Sequence, residues 1–523
     1  MTSGSQGGEA FVSNLALAFE AIVARHGERP ALLYAEEGRS VSYRELAALA
    51  VDKARCLYGR GVRQGDVVAV LHDKSPAAFA VMLACLRLGA AYANLDPESP
   101  WPRLQKILQT CQPRLVVNAF ADWPLRDHLT DEVGASILDL TDDVPGDTPV
   151  LPDIGDVDGS TPAYIMFTSG STGVPKGAVI SHANLLWFTA WSRQRLAITA
   201  DDVLSNVNPM YFDNSVFDFY SALFSGATLA PMTAAQTKEP QRLVRLVDAA
   251  GCTIWFSVPS LLVYLLTTRA LSAADLPAVR RIVFGGEGFP KARLKELYDL
   301  FGHRSQLVNV YGPTECTCIC SAHTVSAEDI SDMQQLTTLG PLAQNFAGDI
   351  LPLDATDPDF GELFLRGPQV GLGYFNDPDR AAKSFIQNPR HGRYRDIGYR
   401  TGDLVRRDAR GRLHFKGRSD FQIKHMGYRI ELEEIEVALS SLAGVAECAV
   451  VYQSLGGGLG QILAFAALQQ PVAAESLQQQ LTAMLPTYML PRRVHLLDVL
   501  PKNANGKIDR IALRQIVEKE NAR

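Results

Sequence analysis

Amphipathic helical windows alternate with short β-rich runs over most of this chain. The window from Tyr43 to Tyr58 has helical periodicity and follows Ser42, a candidate N-cap with Glu45 three residues on. The strand candidates are Val67 to Leu71, Leu115 to Val117, Ala163 to Phe167, Thr253 to Val258, Arg281 to Phe284 and Leu307 to Tyr311, and the last four run into turns that contain Gly or Pro. This alternation predicts layered α/β sheets. Ligands of such sheets bind beyond the carboxyl ends of the strands, so we expect the chemistry in these turns.

The pattern changes twice in the last third of the chain. Hairpin signals appear after about residue 360, with a turn predicted at Asp408 to Arg412, and indicate a small β unit. Strand candidates then follow at 421–424, 446–452 and 461–467, with helices starting near Leu432 and Glu475. The 523 residues exceed the roughly 250 to 300 at which single cores stop growing. We therefore predict an N-terminal domain over residues 1–419, with layered α/β sheets plus the small β unit, and a small α+β C-terminal domain over residues 420–523.

Charge and hydropathy exclude several classes of protein. The 50 basic and 57 acidic residues give a net charge of -7 without a long run of either sign, which argues against a nucleic-acid partner or an anionic membrane surface. The N-terminus lacks the basic and apolar regions of a secretory signal. The apolar stretch 77–95 is interrupted by Arg87 and Gly89, so it predicts a buried helix running into a strand rather than a membrane span. We expect a cytoplasmic protein.

The cysteines indicate neither disulfides nor a metal. The chain has 8 of them, without a regular framework spacing, as expected of reduced thiols in a core. Cys316, Cys318 and Cys320 alternate in the manner of a strand and lack the C-x-x-C pairs of a zinc site.

The segment from Phe167 to Gly177, FTSGSTGVPKG, is the strongest local signal. Its glycines allow backbone conformations that turn successive N–H groups towards one anion, its hydroxyl residues add donors, and Lys176 adds charge. It differs from a Walker A loop, because Pro175 precedes the lysine and Gly177 follows it. The pattern therefore indicates a phosphate-binding loop, and the alternative is a flexible surface turn.

This loop belongs to an ordered set of motifs. The others are LRLGAAYANLD (86–96), YFDNSVFDFY (211–220), NVYGPTE (309–315), GELFLRGPQVGLGYFNDP (361–378), YRTGDL (399–404), GRSDFQIKHMGYRIELEEIE (417–436) and NGKIDR (505–510). Over roughly residues 30–515 the chain resembles the adenylate-forming superfamily of acyl-CoA synthetases, luciferases and nonribosomal peptide synthetase adenylation domains. Its turn FGGEGFP (284–290) looks like that of D-alanine–carrier protein ligases, which are stand-alone amino acid–carrier protein ligases.

The resemblance implies an enzyme that uses ATP and Mg²⁺. The implied ATP-binding residues are Thr168, Ser169, Gly170, Ser171, Thr172, Gly173, Lys176, Gly286, Glu287, Asn309, Val310, Tyr311, Gly312, Pro313, Thr314, Asp403, Phe415, Arg418 and Lys507. Asp403 and Arg418 are expected on the ribose hydroxyls, and Glu315 on Mg²⁺. Lys507, Glu315 and Thr168 are the implied catalytic residues. The alternatives are a helix cap for Glu315, a hairpin turn for Asp403 and a solvated turn for Lys507.

Asp213 distinguishes the acids that such an enzyme could activate. In amino-acid-activating members an aspartate at the matching position pairs with the substrate ammonium, whereas a fatty-acid pocket would hold an unpaired buried carboxylate at a cost. The alternative is that Asp213 caps the following helix. The rest of the implied pocket is Asn214, Phe217, Ser257, Val283, Gly285, Val310 and Cys318. Phe217 and Val310 narrow it, which favours a small or β-amino acid, and Asn214 departs from the apolar residue usual beside that aspartate.

The resemblance also implies a second half-reaction with a mobile C-terminal domain. Nothing long enough to be a carrier domain follows NGKIDR, so a phosphopantetheinyl carrier protein in trans is the expected acceptor, and free coenzyme A is the alternative. In the resembling enzymes the C-terminal domain rotates about a residue matching Asp420. It presents Lys507 for adenylation and the face around Lys424 to Tyr428 for thioester formation. The competing classes are an acyl- or aryl-CoA synthetase and a non-catalytic binding module, and the retained Lys507 and Glu315 argue against the latter.

Overall fold

The computed structural model of the chain describes residues 12–132, 136–140, 149–333, 335–456, 459–503 and 508–521. It has the expected α/β architecture. The strands are β1 Pro30–Tyr34, β2 Arg39–Ser42, β3 Val67–Leu71, β4 Ala91–Leu95, β5 Leu115–Asn118, β6 Ile137–Asp139, β7 Pro162–Thr168, β8 Lys176–Ser181, β9 Val203–Asn206, β10 Thr228–Pro231, β11 Ile254–Ser257, β12 Arg281–Gly285, β13 Gln306–Tyr311, β14 Ser321–Thr324, β15 Ala347–Pro352, β16 Phe360–Arg366, β17 Gly373–Tyr374, β18 Phe385–Gln387, β19 Ile397–Arg407, β20 Leu413–Arg418, β21 Gln422–His425, β22 Tyr428–Glu431, β23 Val445–Gly456, β24 Leu459–Leu468 and β25 Arg493–Leu496.

The α-helices lie mostly between these strands. They are α1 Leu15–His26, α2 Tyr43–Gly59, α3 Pro76–Leu88, α4 Trp101–Cys111, α5 Arg126–Asp131, α6 His182–Leu196, α7 Asn214–Leu223, α8 Ala234–Thr237, α9 Pro240–Ala249, α10 Pro259–Thr267, α11 Lys291–Phe301, α12 Ala327–Ser331, α13 Pro378–Ser384, α14 Leu432–Ser440, α15 Ala474–Thr482 and α16 Arg510–Asn521. Local chemistry explains several of their bounds. Ser42 and Glu45 form the expected capping box of α2, and Gly89 ends α3 in the left-handed conformation.

Two large sheets form the N-terminal part. The eight-stranded sheet has the order β14-β13-β12-β11-β9-β10-β1-β2, and the seven-stranded sheet has the order β17-β8-β7-β4-β3-β5-β6. Their central strands are parallel, whereas β2, β8, β14 and β17 join antiparallel. The main core contains Phe79 of α3, Phe217 and Phe219 of α7, and residues of both sheets. A parallel sheet needs helical cover on both faces, and the helices that connect the strands provide it.

A third, five-stranded sheet follows, with the order β15-β16-β19-β18 and β20 paired to β19. The turn predicted at Asp408 to Arg412 joins β19 and β20, with Gly411 donating to the Asp408 carbonyl. The last part contains the β21-β22 hairpin and a three-stranded sheet, β23-β24-β25, with α14 and α15 packed in one cluster and α16 in another. The division predicted at residues 419 and 420 falls between β20 and β21. That the part after it moves as a unit stays a prediction.

The structure differs from the expected strands at the cysteines. Residues Thr314–Cys316 form a 3-10 turn, and Thr317 and Cys318 have φ of 57° and 69°, so the predicted strand through Cys316, Cys318 and Cys320 is wrong. Strand pairing resumes at Ser321. The left-handed turn directs this segment across the end of β13 instead of along a sheet. In the described part of the chain, no helix is long and apolar enough to cross a membrane.

Candidate active site

A cavity lies between the carboxyl ends of the eight-stranded sheet and the β21-β22 hairpin. The parallel strands β11, β12 and β13 end next to it, as expected for an α/β sheet. Its lining consists of Asp213, Asn214, Phe256, Gly286, Val310, Gly312, Pro313, Thr314, Cys318, Ile319, Asp403, Arg418, Gln422, Lys424, Gly427 and Arg429. Ten of the residues predicted for the ATP and acyl sites therefore lie in this one lining, together with residues that follow the predicted domain boundary.

Asp213 occupies the N-cap position of α7 but makes no side-chain capping bond. Its Oδ2 accepts a hydrogen bond of 2.6 Å from the Thr314 hydroxyl instead. Burial raises the pKa of the Asp213 carboxyl above its usual value, although the Thr314 bond and the charges of Lys424 and Arg429 act in the opposite direction. The helix-cap alternative is thus removed, and a carboxyl group that would gain from a cationic partner lies on the cavity wall.

The predicted acyl pocket is only partly exposed to this cavity. Asp213, Asn214, Val310 and Cys318 line it. Phe217, Ser257, Val283 and Gly285 are buried behind the wall, where the Phe217 ring packs edge-on against Phe256 at 4.8 Å and Trp255 Nε1 donates to Ser257 Oγ at 2.8 Å. Phe256 and Ile319 take their place in the lining. The positions behind the wall shape the cavity through the residues that they support.

The phosphate-loop candidate is the turn of the β7-β8 hairpin, with Thr168 paired to Lys176. A Cβ on Gly170 would lie 2.1 Å from the Val174 carbonyl oxygen, and Gly173 has φ of 74°, so the turn requires glycine at both positions. The Thr168 hydroxyl is buried with no hydrogen-bond partner among the described residues. Such an orphaned donor indicates a ligand that the loop is built to hold. Thr172 accepts from Arg380 at 2.8 Å, and Ser171 and Thr172 are exposed.

Glu315 is fully buried and surrounded by cations. Its Oε2 accepts from Arg429 at 2.8 Å, its Oε1 accepts from the Tyr374 hydroxyl at 2.7 Å, and Lys176 Nζ lies 3.8 Å away. Burial alone would raise the pKa of Glu315, but the charges of Arg429 and Lys176 outweigh it and hold the pKa well below its usual range. Glu315 is therefore an ionised carboxylate that makes no helix-capping bond, and oxygen donors of this kind suit Mg²⁺.

The predicted ribose site forms a connected group. Asp403 accepts from the Tyr311 hydroxyl and from Arg418, each at 2.5 Å. Arg418 also forms a fork with Asp420, at 2.6 and 2.7 Å. Asp403 and Arg418 line the cavity, which places a carboxylate and a guanidinium at one end of it.

Three other residues predicted for ATP lie just outside the lining. The Asn309 amide donates to the Thr338 carbonyl at 2.9 Å, and Phe415 packs with the cluster of the third sheet. Glu287 accepts from the backbone N–H groups of Ser260 and Gly427, at 2.6 and 3.1 Å. Their nucleotide-binding roles stay predictions.

Lys507 lies outside the described residues. The residues on either side belong to the C-terminal part: Lys502 pairs with Ile508 and forms an ion pair with Glu447 at 2.8 Å. All the described residues after 420 that line the cavity come instead from the β21-β22 hairpin. That hairpin contains the face predicted for thioester formation.

Sequence reasoning missed Arg429 and Gln422 as lining residues, and it expected Lys424 only as part of a docking face. Lys424 is half-buried beside Tyr311, with its ammonium 5.8 Å from the ring centre, and desolvation lowers its pKa. No local pattern points to Arg429, because its partner Glu315 lies 114 residues away in the chain.

The chain belongs to the AMP-binding enzyme family. The family model AMP-binding enzyme matches residues 19–375, and the model of its C-terminal domain matches residues 434–507. Enzymes of this family use ATP. Membership removes the non-catalytic binding module from the alternatives, since the fold, the motifs and the family agree.

Curated relatives match along nearly the whole chain. An L-proline--[L-prolyl-carrier protein] ligase of Streptomyces coelicolor is 34% identical, with 93% of both chains covered. A protein of the same name from Pseudomonas fluorescens is 33% identical, with 95% of this chain and 98% of the relative covered. Among solved structures, IdnL1 is 27% identical with a TM-score of 0.78, covering 94% of this chain and 100% of its own. Holo-PA1221, an NRPS protein containing adenylation and PCP domains, is 26% identical with a TM-score of 0.82, covering 96% and 84%.

Proposed function

We propose that this protein activates an amino acid with ATP and Mg²⁺ and then passes the aminoacyl group to the phosphopantetheine thiol of a separate carrier protein. In the first step the substrate carboxylate attacks the α-phosphorus of ATP, aminoacyl-AMP forms and pyrophosphate leaves. In the second step the thiol sulfur attacks the acyl carbon, the thioester forms and AMP leaves. The carrier-protein ligases among the relatives support this proposal, and they favour it over transfer to coenzyme A.

The observation that carries the amino-acid assignment is the environment of Asp213. Its carboxyl group lies on the cavity wall and is oriented by Thr314 rather than by a helix N-terminus. A buried carboxyl with a raised pKa gains most from a cation, and a substrate ammonium supplies one. A fatty or aryl acid supplies none.

The walls near Asp213 favour a small, apolar side chain. Phe256, Val310, Cys318 and Ile319 surround that end of the cavity with hydrocarbon and thiol surface. L-Proline is the first substrate to test, because the relatives named above are prolyl-carrier protein ligases and because its ring is small and apolar. Small β-amino acids are the next group, since the same carboxylate can pair with an ammonium one carbon farther from the reacting carboxyl.

The nucleotide is assigned to the remaining groups. The β7-β8 loop offers N–H groups, the unpartnered Thr168 hydroxyl and Lys176 to the phosphates, and Asp403 with Arg418 offers partners to the ribose. Glu315 would hold Mg²⁺ because it is an ionised carboxylate; in the structure its oxygens accept from Arg429 and from the Tyr374 hydroxyl. When bound, the metal ion offsets charge on the phosphate oxygens. Lys507 would supply a further cation to the reacting phosphate.

Amino-acid-dependent ATP–pyrophosphate exchange tests the proposal. The panel contains L-proline, D-proline, L- and D-alanine, β-alanine and 3-aminobutyrate, with benzoate and a fatty acid as controls. We expect exchange with at least one small amino acid and none with the two acids that lack an ammonium group. Exchange with benzoate or the fatty acid alone would overturn the amino-acid assignment in favour of an acyl- or aryl-CoA synthetase.

A further inference from the structure

Three of the groups assigned to magnesium and phosphate, the Gly170 N–H, Lys176 and Glu315, are occupied by residues from one short segment, 429–434. The Gly170 N–H of the phosphate loop donates to Glu434 Oε2 at 3.2 Å. Lys176 Nζ lies 3.3 Å from Glu431 Oε1. The carboxylate of Glu315, assigned to Mg²⁺, holds the Arg429 guanidinium.

The signs of these contacts form a pattern. Gly170 and Lys176, which are assigned to an anion, each contact a carboxylate, and the carboxylate of Glu315, assigned to a metal cation, contacts a guanidinium. The contacts are also shielded from water, because the side chains of Glu434, Glu431 and Arg429 are 5%, 7% and 13% exposed. A phosphate oxygen and the Glu434 carboxylate cannot both accept from the single Gly170 N–H, and two desolvated anions at that distance repel.

Further contacts fix the same segment on the loop. Arg103 of α4 forms a buried ion pair with the other oxygen of Glu434. The Ser169 hydroxyl donates to the Arg429 carbonyl at 2.7 Å and accepts from the Glu431 N–H at 3.0 Å. The docked position of the β21-β22 hairpin is therefore held by the phosphate loop itself, with Arg103 neutralising the carboxylate brought there.

We propose that Glu431 and Glu434 are positioning residues for the transfer step, which dock the C-terminal part by taking the phosphate-binding groups once magnesium pyrophosphate has left. This proposal rests on the nucleotide assignment given above. It explains how one phosphate loop serves both half-reactions: the loop binds ATP in the first and the hairpin in the second, and the two states exclude each other. Docking then lowers the apparent affinity for Mg·ATP, because only the undocked fraction can bind it.

The test is the affinity of the full-length enzyme for Mg·ATP without amino acid, measured by isothermal titration calorimetry. Glu434→Gln and Glu431→Gln should each bind Mg·ATP about tenfold more tightly than wild type, the change expected when one charge-assisted contact of the competing state is lost. Glu475→Gln is the matched control, since it makes the same change on exposed α15 and should leave the affinity unchanged. Transfer from purified aminoacyl-AMP to a holo-carrier should slow by a similar factor in the first two variants.

A purely structural role predicts a different result. Loss of an ordinary interdomain ion pair would lower the melting temperature and leave the Mg·ATP affinity unchanged or weaker, and that outcome overturns the proposal. If Glu434→Gln does not fold, Arg103→Gln removes the counter-ion from the other side of the contact and should tighten Mg·ATP in the same direction. Absence of Mg·ATP binding by wild type would overturn the nucleotide assignment as well, whereas binding without tightening in the variants overturns only the docking role.

Discussion

Replacing Asp213 by alanine should abolish most of the activity with the preferred amino acid. The substitution removes the cavity carboxylate that we assign to the substrate ammonium, which is then left unpaired in a desolvated site. Breaking a buried charge pair costs roughly 3 to 5 kcal/mol. Because each 1.36 kcal/mol is about tenfold in rate, kcat/KM should fall by about two to nearly four orders of magnitude. Most of the loss should appear in KM, since the ammonium is paired in both the ground state and the transition state.

The free energy of unfolding distinguishes a substrate-binding role of Asp213 from a helix-capping role. Loss of a capping side chain lowers the free energy of unfolding by about 1 kcal/mol, and Ser75→Ala, which removes the side-chain cap of α3, is the matched example. Asp213 makes no such bond, so Asp213→Asn should melt no lower than wild type in the absence of substrate. Asp213 does not pair with the substrate ammonium if Asp213→Ala keeps kcat/KM within threefold of wild type, or if this variant loses as much stability as Ser75→Ala while remaining active.

The stability difference between Asp213→Asn and wild type should depend on pH with a definite sign. The folded-state pKa of Asp213 is raised, so its carboxyl destabilises the fold once it ionises, and this penalty is absent below the unfolded pKa of about 3.8. The stability gained by Asp213→Asn over wild type should therefore be near zero at low pH and should grow as pH rises through the folded pKa. Urea unfolding at several pH values measures it, and a gain that shrinks with rising pH would contradict the burial argument.

Three further predictions concern the half-reactions. Lys507→Ala should lower amino-acid-dependent pyrophosphate exchange by about 10² to 10³ while transfer from preformed aminoacyl-AMP is far less affected, and equal losses in both steps would contradict the division of labour. Asp420→Pro should keep most of the pyrophosphate exchange but slow carrier loading, because the fixed φ of proline restricts the segment between β20 and β21. Equal losses of both activities with a lowered melting temperature would show that Asp420 only stabilises a turn. Intact-mass analysis after incubation with ATP and amino acid should find no aminoacyl group on the enzyme. Burial raises the pKa of the Cys318 thiol beside the cavity, and it raises the pKa of Cys448 to about 11, so neither thiol is a ready nucleophile. A stoichiometric, hydroxylamine-sensitive gain in the mass of the enzyme would contradict transfer to a separate carrier.

Much of the fold was predictable because local signals agree with the tertiary structure. The Ser42 and Glu45 capping box, the α3 to β4 passage and the short apolar strands ending in turns all lie where patterns of hydrophobicity and turn residues place them. Several strands were not predicted, among them β22 and β25. Strand β22 has only 4 residues and pairs only with β21, so its sequence carries little periodicity. The left-handed turn at Thr317 and Cys318 contains no glycine, so the sequence gives no signal for it.

Motif order named Asp213, Glu315 and Asp403 as candidates, and the structure brings all three to one region. Their roles stay predictions, and their contacts could not be predicted from the sequence. The sequence does not reveal where the β21-β22 hairpin packs, because Arg429 and Lys424 bear charges that could equally face solvent. Their partners lie more than a hundred residues away in the chain, as with Arg429 and Glu315, and no local pattern encodes such a pairing.

Loading of a separate carrier is the most direct test of aminoacyl transfer by this enzyme. The purified enzyme is incubated with ATP, Mg²⁺, the amino acid preferred in the exchange assay, and either a holo-carrier protein or coenzyme A. The masses of the products are then measured by mass spectrometry. We expect the carrier to gain one aminoacyl residue on its phosphopantetheine arm and coenzyme A to stay unmodified. Formation of an acyl-CoA with an unmodified carrier would contradict this expectation.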